Sequence, residues 1–149
     1  MTTFKMLWSL TKALLLMGLT QLQLRTNAGR DWQAGVMGDT ASTGSGSYAP
    51  ANWIGLTADG TAPAAGDTTL TGEITSGTLD RAQAVYAHTG GTATYTLTKT
   101  FTSDQTVTIR KLGVFTATSG GTMVFTSLLD ADAALVSGDS LQVTVTVTL

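Results

Sequence analysis

The sequence predicts a mainly β protein: an antiparallel β-sandwich or jelly-roll-like barrel of 7–8 strands, preceded by an N-terminal helical arm. The first observation is composition. Of the 149 residues 30 are Thr, a β-branched polar residue that suits a pleated sheet with one solvent-facing side. The second observation is that apolar and polar residues alternate from residue 52 onwards. The third is a series of Gly-rich turn signals at short intervals, which is typical of all-β domains.

Residues 1–38 are predicted to form the arm, with helical segments. Residues 4–24 carry an apolar run at roughly helical spacing. The run is too short for a transmembrane span, and no small-residue cleavage site follows it, so we expect a retained amphipathic arm. A second, short helix is expected over 28–37, with Asn27 as N-cap and Gly38 at its end.

The arm and the rest of the chain differ in charge. Residues 1–30 hold four basic residues and no acid, whereas residues 31–149 hold four bases and ten acids. A basic arm on an acidic body favours contact with a neighbouring negative surface, and a plain solvated helix is the alternative. The candidate partner-binding residues of this arm are Phe4, Leu7, Trp8, Leu14, Leu15, Lys5, Lys12, Arg25 and Arg30.

Residues 39–51, DTASTGSGSYAPA, are predicted to be a Gly/Ser/Thr linker, and residues 52–149 the β-sandwich domain. The clearest alternation is in the last strand, where Leu141, Val143, Val145 and Val147 share one face. We therefore expect that strand at the centre of the core. Strands are predicted, in chain order, at 53–57, near 69–74, and at 81–88, 94–101, 106–110, 112–116, 122–128 and 141–149.

Few residues have side chains suited to catalysis or metal binding. The chain has no Cys, which excludes disulfides and thiolate zinc sites. His88 is the only His and is predicted to lie at an exposed turn. Asp130 and Asp132 could bind calcium or act as paired carboxylates, but no calcium loop surrounds them, and solvated loop acids are favoured. The sequence therefore predicts no catalytic residue, no cofactor and no metal, and we expect that the protein is not an enzyme.

The residue pattern favours none of four binding functions: sugar, phosphate, nucleic-acid or membrane binding. Trp53, Tyr86 and Tyr95 could form a sugar-binding platform if exposed, but each falls in a strand pattern that favours a core position. The Gly-rich stretch 43–47 lacks the Gly-Lys-Ser/Thr of a phosphate loop. Because the body is acidic, nucleic-acid binding is not expected, and neither is a membrane partner. The acids Asp59, Asp67 and Asp139 lie beside small residues and are predicted to form turns.

Residues 53–149 resemble a group of small bacteriophage virion proteins. The phrases that carry the resemblance are WIGLTADGTAPAAGDTTLTGEI, RAQAVYAHTGGTATYTLTKTF, VTIRKLGVF, SGGTMVF and SGDSLQVTVTVTL, in that order. The stretch from Asn27 to Trp32 is similar to the short leading helix of the same group. The resemblance covers roughly four-fifths of the chain and transfers no catalytic residue, while residues 1–24 depart from the group's pattern.

The resemblance implies a place in the virion, either on the outer surface of the capsid or in the tail. The favoured expectation is a capsid decoration (cement) protein that stabilises the shell, with the major capsid protein and copies of itself, as a trimer, for partners. A tail or fibre subunit that contacts the host or other tail proteins is the alternative. A secreted carbohydrate-binding module is a more remote one.

Overall fold

The structure, a computed structural model, describes residues 14–18, 24–38 and 49–148. Helix α1 spans Asn27–Gly38, and a single 3-10 turn spans Gly77–Leu79. The strands within the described residues are β1 (Leu14–Gly18), β2 (Leu24–Arg25), β3 (Trp53–Thr57), β4 (Ala82–Gln83), β5 (Val85–His88), β6 (Thr94–Thr102), β7 (Val107–Phe115), β8 (Met123–Leu135) and β9 (Ser140–Thr148).

The strands form two sheets, as the predicted sandwich requires. The four-stranded sheet has the order β1-β9-β6-β5, and the five-stranded sheet has the order β2-β8-β7-β3-β4. Neighbouring strands run antiparallel, apart from β1, which pairs with β9 in parallel. Seven strands lie within residues 52–148, so the predicted strand number and the β-sandwich are confirmed.

The core lies between the two sheets. From the four-stranded sheet it receives alternate residues of β6 and β9, in a register that places Leu97 opposite Val145 and Phe101 opposite Leu141. From the five-stranded sheet it receives side chains such as Ile54. The predicted inward face of the last strand is confirmed: each of its four apolar residues is at most 1% exposed, and they are Leu141, Val143, Val145 and Val147.

The predicted short helix is confirmed, but its cap is a different residue. Asn27 is the first helical residue, and the side chain that caps the helix is Thr26. The Gly29 N–H donates to Thr26 Oγ1 at 2.9 Å, and the same hydroxyl donates to Met123 O at 2.6 Å. Thr26 is therefore both the cap and the attachment of α1 to β8, which sequence reasoning could not foresee because residue 123 is 97 positions away.

The helical expectation for residues 4–24 is wrong where the structure describes them. Residues 14–18 and 24 are in strands β1 and β2, which occupy one edge of each sheet. An edge strand has unpaired N–H and C=O groups that a neighbouring segment can satisfy. A short apolar run is ambiguous between helix and strand, and here the two sheet edges decide the outcome. Residues 1–13 and 19–23 lie outside the described residues.

Five strand predictions also need correction. The strand expected near 69–74 is reduced to a single bridge between Thr57 and Glu73. The segment 81–88 divides at Ala84, and its halves belong to different sheets. The two strands predicted over 106–116 are one strand, β7, with a register shift near residue 110. Strand β8 continues to Leu135.

Of the predicted linker 39–51, residues 39–48 lie outside the described residues. Its last three residues are fixed to the rest of the protein. The Trp32 indole Nε1–H donates to Ala49 O at 3.1 Å, and Ala51 is a buried member of the core. The end of the predicted linker is thus packed between α1 and the sandwich.

Candidate interaction surfaces and internal ion pairs

The outer face of the five-stranded sheet is covered by residues 59–73 and by Arg81. One ion pair on this face joins Arg81 to Glu73, and Arg81 donates from Nε and from its terminal nitrogen to the two carboxylate oxygens, both at 2.7 Å. The two side chains are only 7% and 13% exposed. The Arg81 guanidinium also lies 3.4 Å from the centroid of the Phe115 ring and donates to Ala117 O and Gly120 O.

This ion pair holds three parts of the chain together: the loop before β4, the ring at the end of β7, and the turn between β7 and β8. A bidentate pair fixes the planar guanidinium in orientation as well as position. Gly55 lies beneath it, where an added Cβ would collide with the Glu73 carboxylate. The arrangement is structural, because every polar atom of Arg81 is directed to a protein partner.

A second internal ion pair joins Lys111 of β7 to Asp59. Lys111 is 5% exposed at its side chain, and its Nζ donates to the Asp59 carboxylate and to Thr61 O. The Lys111 hydrogen bond, followed by those from Thr61, lowers the pKa of Asp59 from 3.8 to about 2. The pair fastens the turn after β3 to the sheet.

The acids predicted to form turns do so. Asp59 accepts a hydrogen bond from Thr61 N, Asp67 from Ala64 N, and Asp139 from Val136 N. Each of these carboxylates satisfies a backbone donor within three residues of itself, which is the ordinary use of Asp in turns. These predictions are confirmed.

The paired acids of β8 occupy a strand instead of the expected loop. Asp132 accepts from Arg110 at 3.0 Å, and both side chains are about half exposed. Asp130 and Asp132 are exposed at alternate positions of the strand. Within the described part of the chain, no three His, Cys, Asp or Glu residues cluster as a metal site would require.

His88 lies at the end of β5, exposed, and its Nδ1–H donates to Thr94 O at 2.8 Å. That bond assigns the proton to Nδ1 and places the imidazole across the β5–β6 turn. Its predicted exposed position is confirmed. Sequence reasoning placed it before the turn, and the structure adds that it ends a strand.

The three candidate aromatic residues do not form one platform. Trp53, on β3, is partly buried against Leu70, Phe115 and Met123 on the outer face of the five-stranded sheet. Tyr86 and Tyr95 lie on the other sheet, with ring centroids 5.5 Å apart. Tyr95 packs on the core, and burial raises its pKa. Tyr86 is 57% exposed, so the core prediction for it is wrong, because β5 is the outermost strand of its sheet.

The outer side of strands β6 and β9 is uncharged. Three threonine pairs face each other across the two strands, and Thr98 and Thr144 have their hydroxyl oxygens 3.3 Å apart. We call this surface the threonine face. Its residues, paired across the strands, are Thr94 with Thr148, Thr96 with Thr146, Thr98 with Thr144, Thr100 with Gln142, and Thr102 with Ser140.

Next to the threonine face is strand β5, and all four of its residues are exposed. Val85 is 71% exposed and Tyr86 57%. They are adjacent, and Val136 is the other large hydrophobic residue that is exposed in the described part of the chain. We call residues 85–88 the β5 edge. The sequence carried a sign of it, since Val-Tyr-Ala-His has no charged residue and no Pro to protect an edge.

The candidate arm residues divide into three groups. Phe4, Lys5, Leu7, Trp8 and Lys12 lie outside the described residues. The backbone of Leu14 and Leu15 lies in β1, opposite Ser140 and Leu141 of β9.

Arg25 and Arg30 are the basic residues of the arm that the structure describes, and they differ in the exposure of their charge. The Arg25 guanidinium donates to Gln33 Oε1 and lies 5.8 Å from the centroid of the Phe125 ring. Arg30 is exposed on α1. Of these two, Arg30 therefore has the charge that a partner could reach.

Comparison with known proteins gives no relative: no protein-family model, curated protein or solved structure matches this chain. Among the described residues, no helix has the length and apolar character needed to cross a membrane.

Proposed function

We propose that this chain is a structural protein of a bacteriophage particle, and most specifically a capsid decoration protein on the outer surface of the shell. The observation that carries the proposal is where the charged and the uncharged side chains lie. Charged side chains are used to fasten loops, whereas the four-stranded sheet presents an uncharged threonine face beside an apolar edge. Such a surface serves contact with other protein chains better than it serves catalysis.

The absence of catalysis is part of the same proposal. The ion pairs of Arg81 and Lys111 are engaged with several internal partners each. His88 donates its Nδ1 proton to a backbone oxygen in an exposed turn. A catalytic group needs a neighbour that activates it and a cleft that excludes water. The contacts of these residues instead hold loops and turns to the sheets.

The virion location draws its support from the sequence. The ordered phrases between residues 53 and 149 resemble small phage virion proteins, and the sandwich is an architecture that suits a compact surface subunit. The partners that this function calls for are the major capsid protein and further copies of the same chain, as a trimer. Repeated contacts around a shell would add up through high effective concentration.

The decisive experiment is to count this chain in purified particles of the phage that encodes it, by quantitative mass spectrometry against the major capsid protein. A copy number close to that of the capsid protein is expected for decoration. A few copies up to some tens per particle would instead place the protein in the tail or its fibres. Absence from particles would overturn the proposal.

The N-terminal arm is proposed to supply the contact with the shell. Its test is a triple variant, Lys5→Gln, Lys12→Gln and Arg30→Gln, added to particles that lack the protein. The matched control is Thr68→Glu, Thr75→Glu and Thr118→Glu, which changes the net charge equally at three exposed positions of the body outside the threonine face. The arm variant should bind at least tenfold more weakly, and the control should bind better than the arm variant. Equal losses of binding in the two variants would show that the total charge of the protein, and not the arm, determines binding to the shell.

A further inference from the structure

The β5 edge differs from the two edges of the five-stranded sheet. The other edge of its own sheet, β1, has five residues and likewise no charged residue and no Pro. Strands β2 and β4, at the edges of the five-stranded sheet, have two residues each. Strand β5 has four residues and lies at the end of its sheet, opposite the end occupied by β1. Very short strands are one way in which proteins protect sheet edges from pairing with other chains, and charged residues or Pro are others. The β5 edge has neither of the last two.

The backbone of the β5 edge has hydrogen-bonding groups to offer. In an antiparallel pair, alternate residues direct their N–H and C=O groups to the partner strand, and the others direct them outward. The inner side of β5 pairs with β6, from Val85 opposite Thr98 to His88 opposite Tyr95. Within the described residues, no backbone group bonds to the outer side of β5. Among the described residues, the outer side of β5 is thus open to a strand of another chain.

We propose that β5 pairs with β5 of a second copy, antiparallel and about a two-fold axis, so that two four-stranded sheets become one continuous sheet. A two-fold interface brings the same patch of both copies together. The β5 edge suits this, because it carries no Asp, Glu, Lys or Arg and two copies would meet without like-charge repulsion. Val85 and Tyr86 lie on opposite faces of the strand, as their partners Thr98 and Leu97 do, so on each face one exposed apolar side chain would lie beside a residue of the second β5.

The size of this contact indicates when it forms. A pair of four-residue strands is small beside a standard interface of about 1,600 Å². Two free copies would therefore associate weakly, whereas copies held close together on a particle would be joined through high effective concentration. The inference rests on the proposed function to that extent. A two-fold contact cannot build the proposed trimer, so the β5 pair would join copies that belong to neighbouring trimers.

Cysteine crosslinking tests the pairing directly, because the natural chain has no Cys. Four single variants, Val85→Cys, Tyr86→Cys, Ala87→Cys and His88→Cys, are made in the full chain and oxidised at high concentration. Cβ atoms directly opposite each other in antiparallel strands are close to disulfide distance. We expect a covalent dimer with one clear maximum along the strand, at the residue nearest the two-fold axis.

Val136→Cys is the matched control. Val136 is 53% exposed, and it lies in the turn between β8 and β9. The best β5 variant should give at least tenfold more dimer than this control. Adding Val85→Lys to Tyr86→Cys should abolish the dimer, and adding Val136→Lys should not. Dimer yields equal to that of Val136→Cys, or insensitivity to Val85→Lys, would overturn the pairing.

One further outcome would replace the two-fold arrangement. If a β5 cysteine crosslinked only to a cysteine placed at Leu16, in β1, copies would pair head to tail through opposite edges of the four-stranded sheet, and the proposal would be wrong. Crosslinking is independent of particle location. A β5 dimer from a chain that is absent from particles would leave the pairing standing and overturn the virion proposal. If the chain is found in particles and its β5 variants give no dimer, the virion proposal stands and the β5 pairing is wrong.

Discussion

The two sheets of this sandwich bury their residues in different ways. In β9 of the four-stranded sheet, apolar residues face the core and burial alternates residue by residue, and in β6 the buried Leu97 and Phe101 lie between less buried Thr. Lys99 is the charged residue on the core-facing side of β6, opposite Val143. In the five-stranded sheet, β3 is buried at four consecutive positions, and β7 and β8 are each buried at five. Sheets that are covered on both faces have such continuous buried runs.

The cause of the difference is the cover on the outer face. Helix α1 packs on β8, so closely that a Cβ added to Gly29 would collide with Val124 O. Residues 59–73 and Arg81 cover β3 and β7, and their ion pairs compensate the charges that the cover buries. The comparison teaches that the covered sheet depends on paired charges for its stability, whereas the uncovered sheet depends on its apolar face alone.

The largest effect should come from breaking the better-buried ion pair. Arg81→Met leaves the Glu73 carboxylate without its main partner in a nearly buried position, which costs about 3–5 kcal/mol of unfolding free energy. Urea denaturation followed by circular dichroism measures it. The control is Arg81→Met combined with Glu73→Gln, which leaves no charge behind and should recover part of the loss. A double variant as unstable as the single one would mean that the contacts of Arg81 with the β7–β8 turn dominate.

The second effect appears at acid pH. Because the folded-state pKa of Asp59 is lowered from 3.8 to about 2, the ionised group stabilises the fold above pH 3.8, and this contribution is lost as the pH falls towards 2. Asp59→Asn should therefore be less stable than the natural chain at pH 7, and the difference should shrink between pH 4 and pH 2. Urea midpoints at a series of pH values measure it. Asp31→Asn, which removes an exposed acid, should not reproduce the pattern.

A smaller effect concerns the cap of the helix that covers β8. Thr26→Ala removes the acceptor of the Gly29 N–H and should cost about 1 kcal/mol, within a range of roughly 0.5–2 kcal/mol. Asn27→Ala, at the exposed position that the sequence suggested as the cap, should change the unfolding free energy by less than about 0.5 kcal/mol. The reverse order of the two variants would restore Asn27 as the cap.

The smallest effect comes from the threonine face. Thr96→Val keeps the shape of a side chain on the outer side of the sheet and should change the unfolding free energy by less than about 0.5 kcal/mol. The same substitution at Thr126, in the covered sheet, removes a buried hydroxyl that donates to Leu112 O at 3.1 Å and should cost about 1 kcal/mol. Equal costs would contradict the distinction between the two sheets.

The sequence predicts the strands of the uncovered sheet more accurately than those of the covered sheet. Strands β6 and β9 were predicted with their faces, because one wet side leaves an alternation that can be counted. In the covered sheet, the sequence pattern predicts two strands in place of β7 and ends β8 seven residues early, since a strand buried on both sides has no alternation to follow. The turn acids were predicted because each acts within three residues of itself.

The candidate sites contain contacts that local sequence patterns do not predict. Nothing in the sequence indicates that Asp59 would meet Lys111, 52 positions away, or that Arg81 would reach the turn at Gly120. The exposure of Tyr86 was missed for a related reason. Its strand alternates like a core strand, but the chain changes sheets at Ala84 and leaves β5 outermost.

By itself, the sequence determined the fold class, a body of seven or eight strands, the short helix over 28–37 and the inward face of the last strand, because each follows from the preferences of neighbouring residues. Only the tertiary structure decided which sheet is covered, which charges are paired and which edge is open. Those outcomes depend on how distant segments stack, and burial then sets the cost of leaving a charge or a backbone group without a partner.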